Sequence, residues 1–156
     1  MHPSVRRVAD ALAAAGANGE VRELDESTRT AAEAAAALGV PVGAIVKSLV
    51  FAADGEPVLV LASGDHQVDT ALVADALGVG GVTRAPAELV RDATGFAIGG
   101  VPPVGHTRAL RTVVDTHLST YDVLWAAAGT PRAVFPTTYD ELVRISAGTP
   151  VDVAAR

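Results

Sequence analysis

The fold of this chain is decided by two neighbouring runs of sequence, Ile45-Val46-Lys47-Ser48-Leu49-Val50-Phe51 and Val58-Leu59-Val60-Leu61-Ala62, with the pair Asp54-Gly55 between them. Both runs are rich in β-branched and large apolar residues, and an Asp-Gly pair between two such runs is typical of a tight β-hairpin. Because each run is apolar at almost every position, we expect two strands that are covered on both faces. An antiparallel hairpin also means that the sheet is not purely parallel.

Helix and strand signals alternate on both sides of this hairpin. Capping-box patterns at Thr30 and Thr138 each place a glutamate three residues later and open a helix, and Gly39 ends the first of these helices. Further helices are predicted over 4–15, after Asp69 and from Pro86, and further strands over 21–24, 111–115, 123–127 and 133–135. We therefore predict an α/β (α+β) fold: a single compact domain over residues 1–156, with a mixed, mostly antiparallel sheet of about six strands flanked by helices.

Composition limits the possible functions. The 156 residues carry a net charge of −6, and they include no cysteine, which excludes thiolate metal sites, iron–sulfur clusters and a cysteine nucleophile. An acidic chain is not a general nucleic-acid binder, although arginines in its second half leave room for a local basic patch. No apolar run reaches the roughly 18 residues of a membrane helix, and Asp10 interrupts the start of the chain, so we expect a cytoplasmic protein without a membrane partner.

Lys47 is the first candidate for chemistry. It is the only lysine in a chain with eleven arginines and 31 alanines. The two-residue period of a strand places it on the apolar face with Ile45, Leu49 and Phe51. An ammonium there costs several kcal/mol unless it is paired or opens to a cleft. Lys47 either extends to solvent at a sheet edge or binds an anion or carbonyl in a pocket.

The loop Gly99-Gly100-Val101-Pro102-Pro103-Val104-Gly105 is the second candidate. Glycines let a backbone approach a ligand and turn its N–H groups inward, although many such loops are plain connections. His106 adjoins this loop and could contact a ligand. The spacing of the histidines predicts no metal site. Gly64-Asp65-His66 after the second run could place Asp65 or His66 at the rim of a site, but an ordinary turn is the simpler interpretation.

Four segments together carry a resemblance to a known family. They are the strand around Lys47, the strand 58–65 with its following helix, the loop 94–105, and the ending 123–143 with its glycine turn, short strand and helix. In this combination the chain resembles the YbaK/EbsC family, the aminoacyl-tRNA editing domain that is also inserted in bacterial prolyl-tRNA synthetases.

The resemblance implies a hydrolase that cleaves the ester between a wrong amino acid and its tRNA, with Cys-tRNA(Pro) or Ala-tRNA(Pro) as the expected substrates. It implies no metal, no cofactor and no covalent protein nucleophile. The expected partner is the aminoacylated acceptor end of tRNA, with prolyl-tRNA synthetase as a further candidate. Monomer and homodimer both stay open. Two other functions remain: a non-catalytic module that binds an aminoacyl or nucleotide group, and hydrolysis of another small ester or amide.

The family motifs select the candidate site residues. The strand lysine of the family corresponds to Lys47 and its Gly-x-x-x-Pro loop to residues 99–103, which gives the catalytic set Lys47, Gly99, Gly100 and Val101. The expected substrate-binding residues are Ser48, Gly64, Asp65, Pro102, Pro103, His106 and Arg132. Two positions depart from the family pattern. Pro102 stands where a serine is common, and Arg132 is the nearest polar residue where a histidine or aspartate often follows the last glycine turn.

Overall fold

The predicted hairpin stands at the centre of the sheet. Its strands are β2 (Ile45–Ala53) and β3 (Glu56–Ser63), and they pair in antiparallel register from end to end. Asp54 and Gly55 form the turn with φ angles of 49° and 86°, as a two-residue hairpin with the right-handed strand twist requires. β3 is buried at every position after Glu56, which agrees with a strand covered on both faces.

The protein is described here from a computed structural model, which covers residues 1–154. Five helices surround the sheet: α1 (Pro3–Ala14), α2 (Ala31–Leu38), α3 (Thr70–Leu77), α4 (Ala87–Thr94) and α5 (Tyr139–Ser146). The other strands are β1 (Arg22–Glu23), β4 (Val82–Arg84), β5 (Arg111–Asp115), β6 (Leu124–Ala127), β7 (Ala133–Thr137) and β8 (Thr149–Val151). Within the described residues, no helix is long and apolar enough to cross a membrane.

The sheet is mixed, as the sequence predicts, but larger than predicted. Its strand order is β1-β7-β6-β2-β3-β5-β8, with β4 on β2 in addition. The prediction of about six strands was too low because β4 and β8 were not recognised. Each has only three residues, most of them exposed, so neither shows the apolar run or alternation that identifies a strand in sequence.

One edge of β2 is divided between two partners. β6 pairs with its beginning at Ile45 and Val46, and β4 pairs with its end over 51–53, so residues 47–50 have no strand partner on that edge. Backbone groups point alternately to the two edges of a strand. The Ile45 carbonyl accepts from Gly64 on the β3 side, and the Val50 carbonyl accepts from Ala85 on the other. By this alternation, the N–H and C=O groups of Ser48 face the opening in the sheet.

Helices cover both faces of the sheet. Val5, Val8 and Leu12 of α1 belong to one core together with Leu59 and Leu61 of β3. Val73 and Leu77 of α3 belong to a second core on the opposite face, together with Val60 and Ala62 of β3. Successive residues of β3 therefore enter different cores, as the period of two requires.

The two predicted capping boxes differ. Around Thr30 both halves are present: Thr30 accepts from the Glu33 amide, and Glu33 accepts from the Thr30 amide. At the start of α5 only Thr138 caps, accepting from the Glu141 amide. The Glu141 carboxylate instead accepts from the Thr137 hydroxyl and the Asn18 amide, so the second half of that prediction was wrong. Nearby partners compete for the carboxylate, and sequence spacing does not reveal them.

Candidate functional site

The opening in the sheet beside β2 leads into a cavity of about 370 Å³. This volume lies in the usual range of small-molecule sites. The residues that matter for its chemistry are Lys47 and Ser48 of β2, Gly99 and Val101 of the glycine loop, Trp125 of β6 and Thr130 of the turn after it. The fold therefore brings the predicted lysine and the predicted glycine loop to one cavity, and we call it the Lys47 cavity.

Lys47 is held in place rather than extended into solvent. It is half-buried, and its Nζ donates a hydrogen bond to the His66 carbonyl at 2.5 Å. Burial lowers the pKa of Lys47 from its ordinary value, and the carboxylates of Asp115 and Asp65 act in the opposite direction. The cation is thus fixed by the turn after β3, and Lys47 is among the residues that line the cavity.

A fully buried carboxylate organises that turn. Asp115, at the end of β5, is not exposed at all. Its Oδ2 accepts from the Ser63 amide at 3.0 Å and lies 2.9 Å from His66 Nδ1, while its Oδ1 accepts from the His117 amide at 3.0 Å. Since hydrogen bonds satisfy both oxygens, Asp115 links the ends of β3 and β5 and positions the carbonyl that holds Lys47.

Two histidine rings stack above this carboxylate. The ring centres of His66 and His117 lie 4.1 Å apart, and the His117 ring meets Tyr121 edge to face. His117 Nε2 is buried, and Asp65 Oδ2 lies 3.5 Å from it. Among residues 1–154, no group of histidine and acidic side chains could hold a metal ion.

Sequence reasoning did not find Asp115 or His117 as part of the site. The available signal was topological. β3 and β5 are parallel neighbours, so residues 63–66 and 115–117 follow the carboxyl ends of two adjacent strands and lie at the same end of the sheet. Polar residues that follow parallel neighbouring strands meet there. The sequence places Asp65 or His66 at the rim of a site only as an alternative to an ordinary turn, and it does not reveal the contact of His66 with Asp115, because only the pairing of β3 with β5 brings the two together.

The glycine loop approaches the cavity through its backbone. Gly99 and Val101 line the cavity, and Gly100 turns away and packs against the turn at Gly129, whose amide donates to the Gly100 carbonyl. A Cβ on Gly100 would lie 2.7 Å from the Gly129 oxygen, so only glycine allows this approach. Within the part of the chain that the structure describes, the amides of Gly99 and Val101 donate to no protein acceptor.

Ser48 supplies further polar groups with no partner. Its Oγ is buried and makes no hydrogen bond within residues 1–154, and its main chain faces the opening in the sheet. A buried hydroxyl without a partner is costly in a folded protein and is therefore a candidate for binding a ligand. Ser48 and the glycine-loop residues Gly99 and Val101 line the same cavity.

The other predicted site residues lie around this centre rather than in it. Gly64 packs against α2 and the 3₁₀ turn before β2, where a Cβ would meet the Val42 oxygen at 2.3 Å. Asp65 acts on Lys47 only through its charge, as described above. Pro102 and Pro103 are buried residues of the loop itself, and the Pro102 carbonyl accepts from His106 Nε2 at 2.7 Å. Burial lowers the pKa of His106, and the bond to Pro102 opposes this effect.

Arg132 belongs to a neighbouring cavity. It lines a second cavity of about 810 Å³ together with Gly100, and it does not line the Lys47 cavity. Its side chain bonds the backbone carbonyls of Leu24 and Asp25. Of the four predicted catalytic residues, Lys47, Gly99 and Val101 therefore meet in one cavity, and Gly100 supports their arrangement from behind.

Comparison with known proteins identifies the class of protein to which this fold and this site belong. The chain matches the aminoacyl-tRNA editing domain family over residues 25–145, and it belongs to that family. Its fold is that of a solved structure described as a proposed trans-editing enzyme for prolyl tRNA synthetase, with 44% sequence identity and a TM-score of 0.94 over 100% of this chain and 99% of the other.

Relatives of two kinds share the sequence. The uncharacterized protein YwhH of Bacillus subtilis is 30% identical over 128 residues, which is 81% of each chain. The proline--tRNA ligase of Nitratidesulfovibrio vulgaris is 39% identical over 89 residues, 57% of this chain. The match covers only 16% of that ligase and 18% of the one from Bacillus licheniformis. The chain thus corresponds to a small part of these synthetases.

Proposed function

We propose that this protein is an aminoacyl-tRNA deacylase that hydrolyses the ester of a mischarged tRNA, with Cys-tRNA(Pro) or Ala-tRNA(Pro) as the substrate. The observation that carries this proposal is that one cavity is lined by Lys47, by Gly99 and by Val101, and that the amides of the last two have no protein acceptor in the described part of the chain. Membership of the aminoacyl-tRNA editing domain family supports the choice of substrate class. The name given to the relative of known structure supports the choice of proline tRNA.

The proposed chemistry needs no protein nucleophile. A water molecule adds to the ester carbonyl, the bond from that carbon to the ribose oxygen breaks, and the products are the free amino acid and a tRNA with its ribose hydroxyl restored. Negative charge develops on the carbonyl oxygen in the transition state. Backbone amides that are already aimed at this oxygen stabilise it without reorganisation, which suits Gly99 and Val101.

Lys47 is assigned to binding and electrostatics. A fixed ammonium at the cavity wall holds a ribose or phosphate oxygen of the terminal adenosine and favours the negative transition state. Its bond to the His66 carbonyl limits its movement, so the substrate is positioned against a rigid group. The Ser48 hydroxyl, which is buried without a partner in the described part of the chain, gives a further contact for the bound ester.

Deacylation of Cys-tRNA(Pro) and Ala-tRNA(Pro), with Pro-tRNA(Pro) as the correctly charged control, tests the proposal. Lys47→Met keeps the apolar stem and removes the charge. Lys47→Arg keeps the positive charge but carries it on a larger, planar guanidinium. We expect wild type to remove one mischarged amino acid and both variants to lose about 100-fold or more of the rate, the usual scale of electrostatic groups of this kind.

A matched control is Arg111→Met, which removes an exposed cation from β5, outside the Lys47 cavity. This variant keeps the wild-type rate. Lys47 variants that keep wild-type rates contradict the assigned role of Lys47. Binding of the aminoacylated end without turnover by the wild-type protein supports the non-catalytic binding module instead.

A further inference from the structure

A second cavity lies directly beside the Lys47 cavity. Its volume is about 810 Å³, and Arg29, Ile98, Thr130 and Pro131 line both cavities. The glycine loop separates them, since Gly99 lines the Lys47 cavity and Gly100 lines the second. A ligand whose reactive end occupies the Lys47 cavity can therefore continue over this boundary into the second cavity.

The second cavity is basic although the chain as a whole is acidic. Three arginines line it, Arg29, Arg91 and Arg132, and the one acidic residue in its wall is Glu23. The whole chain has a net charge of −6. A local excess of arginine in an acidic protein attracts an anion to this place and leaves the remaining surface repulsive to it.

The three guanidinium groups are available to a ligand in different ways. The Arg132 side chain is fixed by the carbonyls of Leu24 and Asp25, so its planar group is held at the cavity wall. Arg29 and Arg91 are exposed, and neither makes an ion pair with any residue in the described part of the chain. Arginine binds phosphate oxygens through two parallel hydrogen bonds, which suits such groups to phosphodiesters.

An apolar side chain stands at the boundary between the two cavities. Ile98 is 64% exposed, one of the few large hydrophobic residues at the surface. An exposed apolar group next to arginines suits a ligand with both flat apolar rings and phosphates. A short single strand of RNA has this alternation of bases and phosphodiesters.

We propose that the second cavity binds the phosphodiesters of the unpaired nucleotides that precede the terminal adenosine of the tRNA, with Arg29, Arg91 and Arg132 as the phosphate-binding groups. The proposal rests on the function proposed above and extends it. The Lys47 cavity receives the aminoacyl-adenosine, and the second cavity holds the strand in register. Phosphate contacts fix position without reading sequence, so this site sets affinity rather than the choice of amino acid.

Two substrates separate the second cavity from the first. One is the mischarged tRNA, and the other is the same amino acid esterified to adenosine, which has no phosphate. We expect Arg29→Gln and Arg91→Gln each to raise KM for the tRNA about tenfold, the scale of a charge-assisted hydrogen bond, without changing kcat. Arg91→Gln, which lies outside the Lys47 cavity, does not change hydrolysis of the aminoacyl-adenosine. Arg111→Gln, which lies outside both cavities, leaves KM and kcat for both substrates at their wild-type values.

Salt dependence gives a second readout that a structural defect would not produce. For binding to a single strand, each phosphate contact contributes about 0.7 to the slope of log affinity against log salt concentration. We expect the slope of log affinity for tRNA against log salt concentration to be shallower by about 0.7 in each arginine variant. We expect the trinucleotide CCA to inhibit wild type better than adenosine does. The double variant with both Arg29→Gln and Arg91→Gln should lose this difference.

The outcomes distinguish the two proposals. Wild type that hydrolyses neither substrate contradicts the proposed function itself. Wild type that hydrolyses both, together with arginine variants that bind tRNA normally at an unchanged salt slope, overturns the phosphate site and leaves the function standing. Equal losses on tRNA and on aminoacyl-adenosine in Arg91→Gln also overturn it, because they place Arg91 in support of the Lys47 cavity.

Discussion

The single lysine of this chain occupies a position where arginine has a poor geometry. Lys47 places one compact ammonium on the His66 carbonyl, and a guanidinium would bring a planar fork of five donors into the same space. The other cations of the chain are arginines. The composition predicts the importance of Lys47, but the carbonyl that holds it lies 19 residues away and could not be read from sequence.

We predict that Lys47 titrates below the ordinary lysine pKa of 10.5, because burial penalises its charged form. With no other lysine in the chain, lysine labelled with ¹³C at Cε gives one side-chain signal whose shift against pH reports this pKa. Between the lowered pKa and 10.5 the unfolded chain binds a proton that the folded chain has lost. The free energy of unfolding contributed by Lys47 therefore rises with pH across that window.

Asp65→Asn tests whether the charge of Asp65 acts on Lys47, and the same ¹³C signal of Lys47 measures the effect. The Asp65 carboxylate raises the pKa of Lys47, so its removal lowers that pKa further. Asp75→Asn makes the same change on the exposed face of α3 and leaves the Lys47 titration where it is in wild type. A Lys47 pKa at or above 10.5 in wild type would show that the ammonium is solvated and not held as described.

At the scale of elements, the cavity exists because β2 changes partners along one edge. β6 leaves it after Val46 and β4 joins it at Phe51, and the glycine loop closes over the residues between them. Two close contacts hold that loop: Gly100 packs on the turn at Gly129, and Gly129 packs on the start of α1, where a Cβ would meet the Ser4 oxygen at 2.6 Å. The positions of the Gly99 and Val101 amides follow from this packing.

Gly100→Ala should therefore damage both stability and activity. Its new Cβ would lie 2.7 Å from the Gly129 oxygen and 2.9 Å from Thr130 Cα, and backbone atoms cannot turn away as a side chain can. We expect a loss of about 1–3 kcal/mol in the free energy of unfolding, the usual cost of overpacking. Chemical denaturation measures this loss, and the deacylation rate falls with it because the neighbouring amides move.

Gly81→Ala is the matched control, since a Cβ there meets nothing within 4 Å and the residue does not have a left-handed φ. Its free energy of unfolding stays within about 1 kcal/mol of wild type. If Gly100→Ala is as stable and as active as Gly81→Ala, the contact with Gly129 does not position the loop.

The elements themselves were largely predictable, whereas their contacts were not. All six predicted strands exist, because hairpin chemistry and apolar runs are local signals. The hydrogen bond of Glu141 to Thr137 and the meeting of Asp115 with His66 join residues that share no local pattern, although the first pair is four residues apart. Local spacing predicts which residues can cap or bind, and the folded neighbours decide which of them do.

At the scale of the whole molecule, charge is divided between a basic cavity and an acidic remainder. The chain carries −6 overall, yet three arginines surround the cavity beside Lys47. Such a distribution favours a ligand that presents its phosphates at one place and keeps the rest of its anionic body away from the surface. On the proposed function, that ligand is a tRNA held by its acceptor end alone.

A short RNA hairpin that carries only the acceptor stem and the aminoacylated end should therefore be deacylated nearly as well as the whole tRNA. The acidic surface offers little attraction to the rest of the tRNA, because affinity from counterion release needs clustered lysine and arginine. We expect the two kcat/KM values to agree within about fivefold, a difference of roughly 1 kcal/mol, at matched salt. Steady-state deacylation of both RNAs charged with the same amino acid measures the ratio. A hairpin that is 100-fold worse than the tRNA would mean that the chain, despite its charge, contacts the tRNA body at a surface beyond the two cavities.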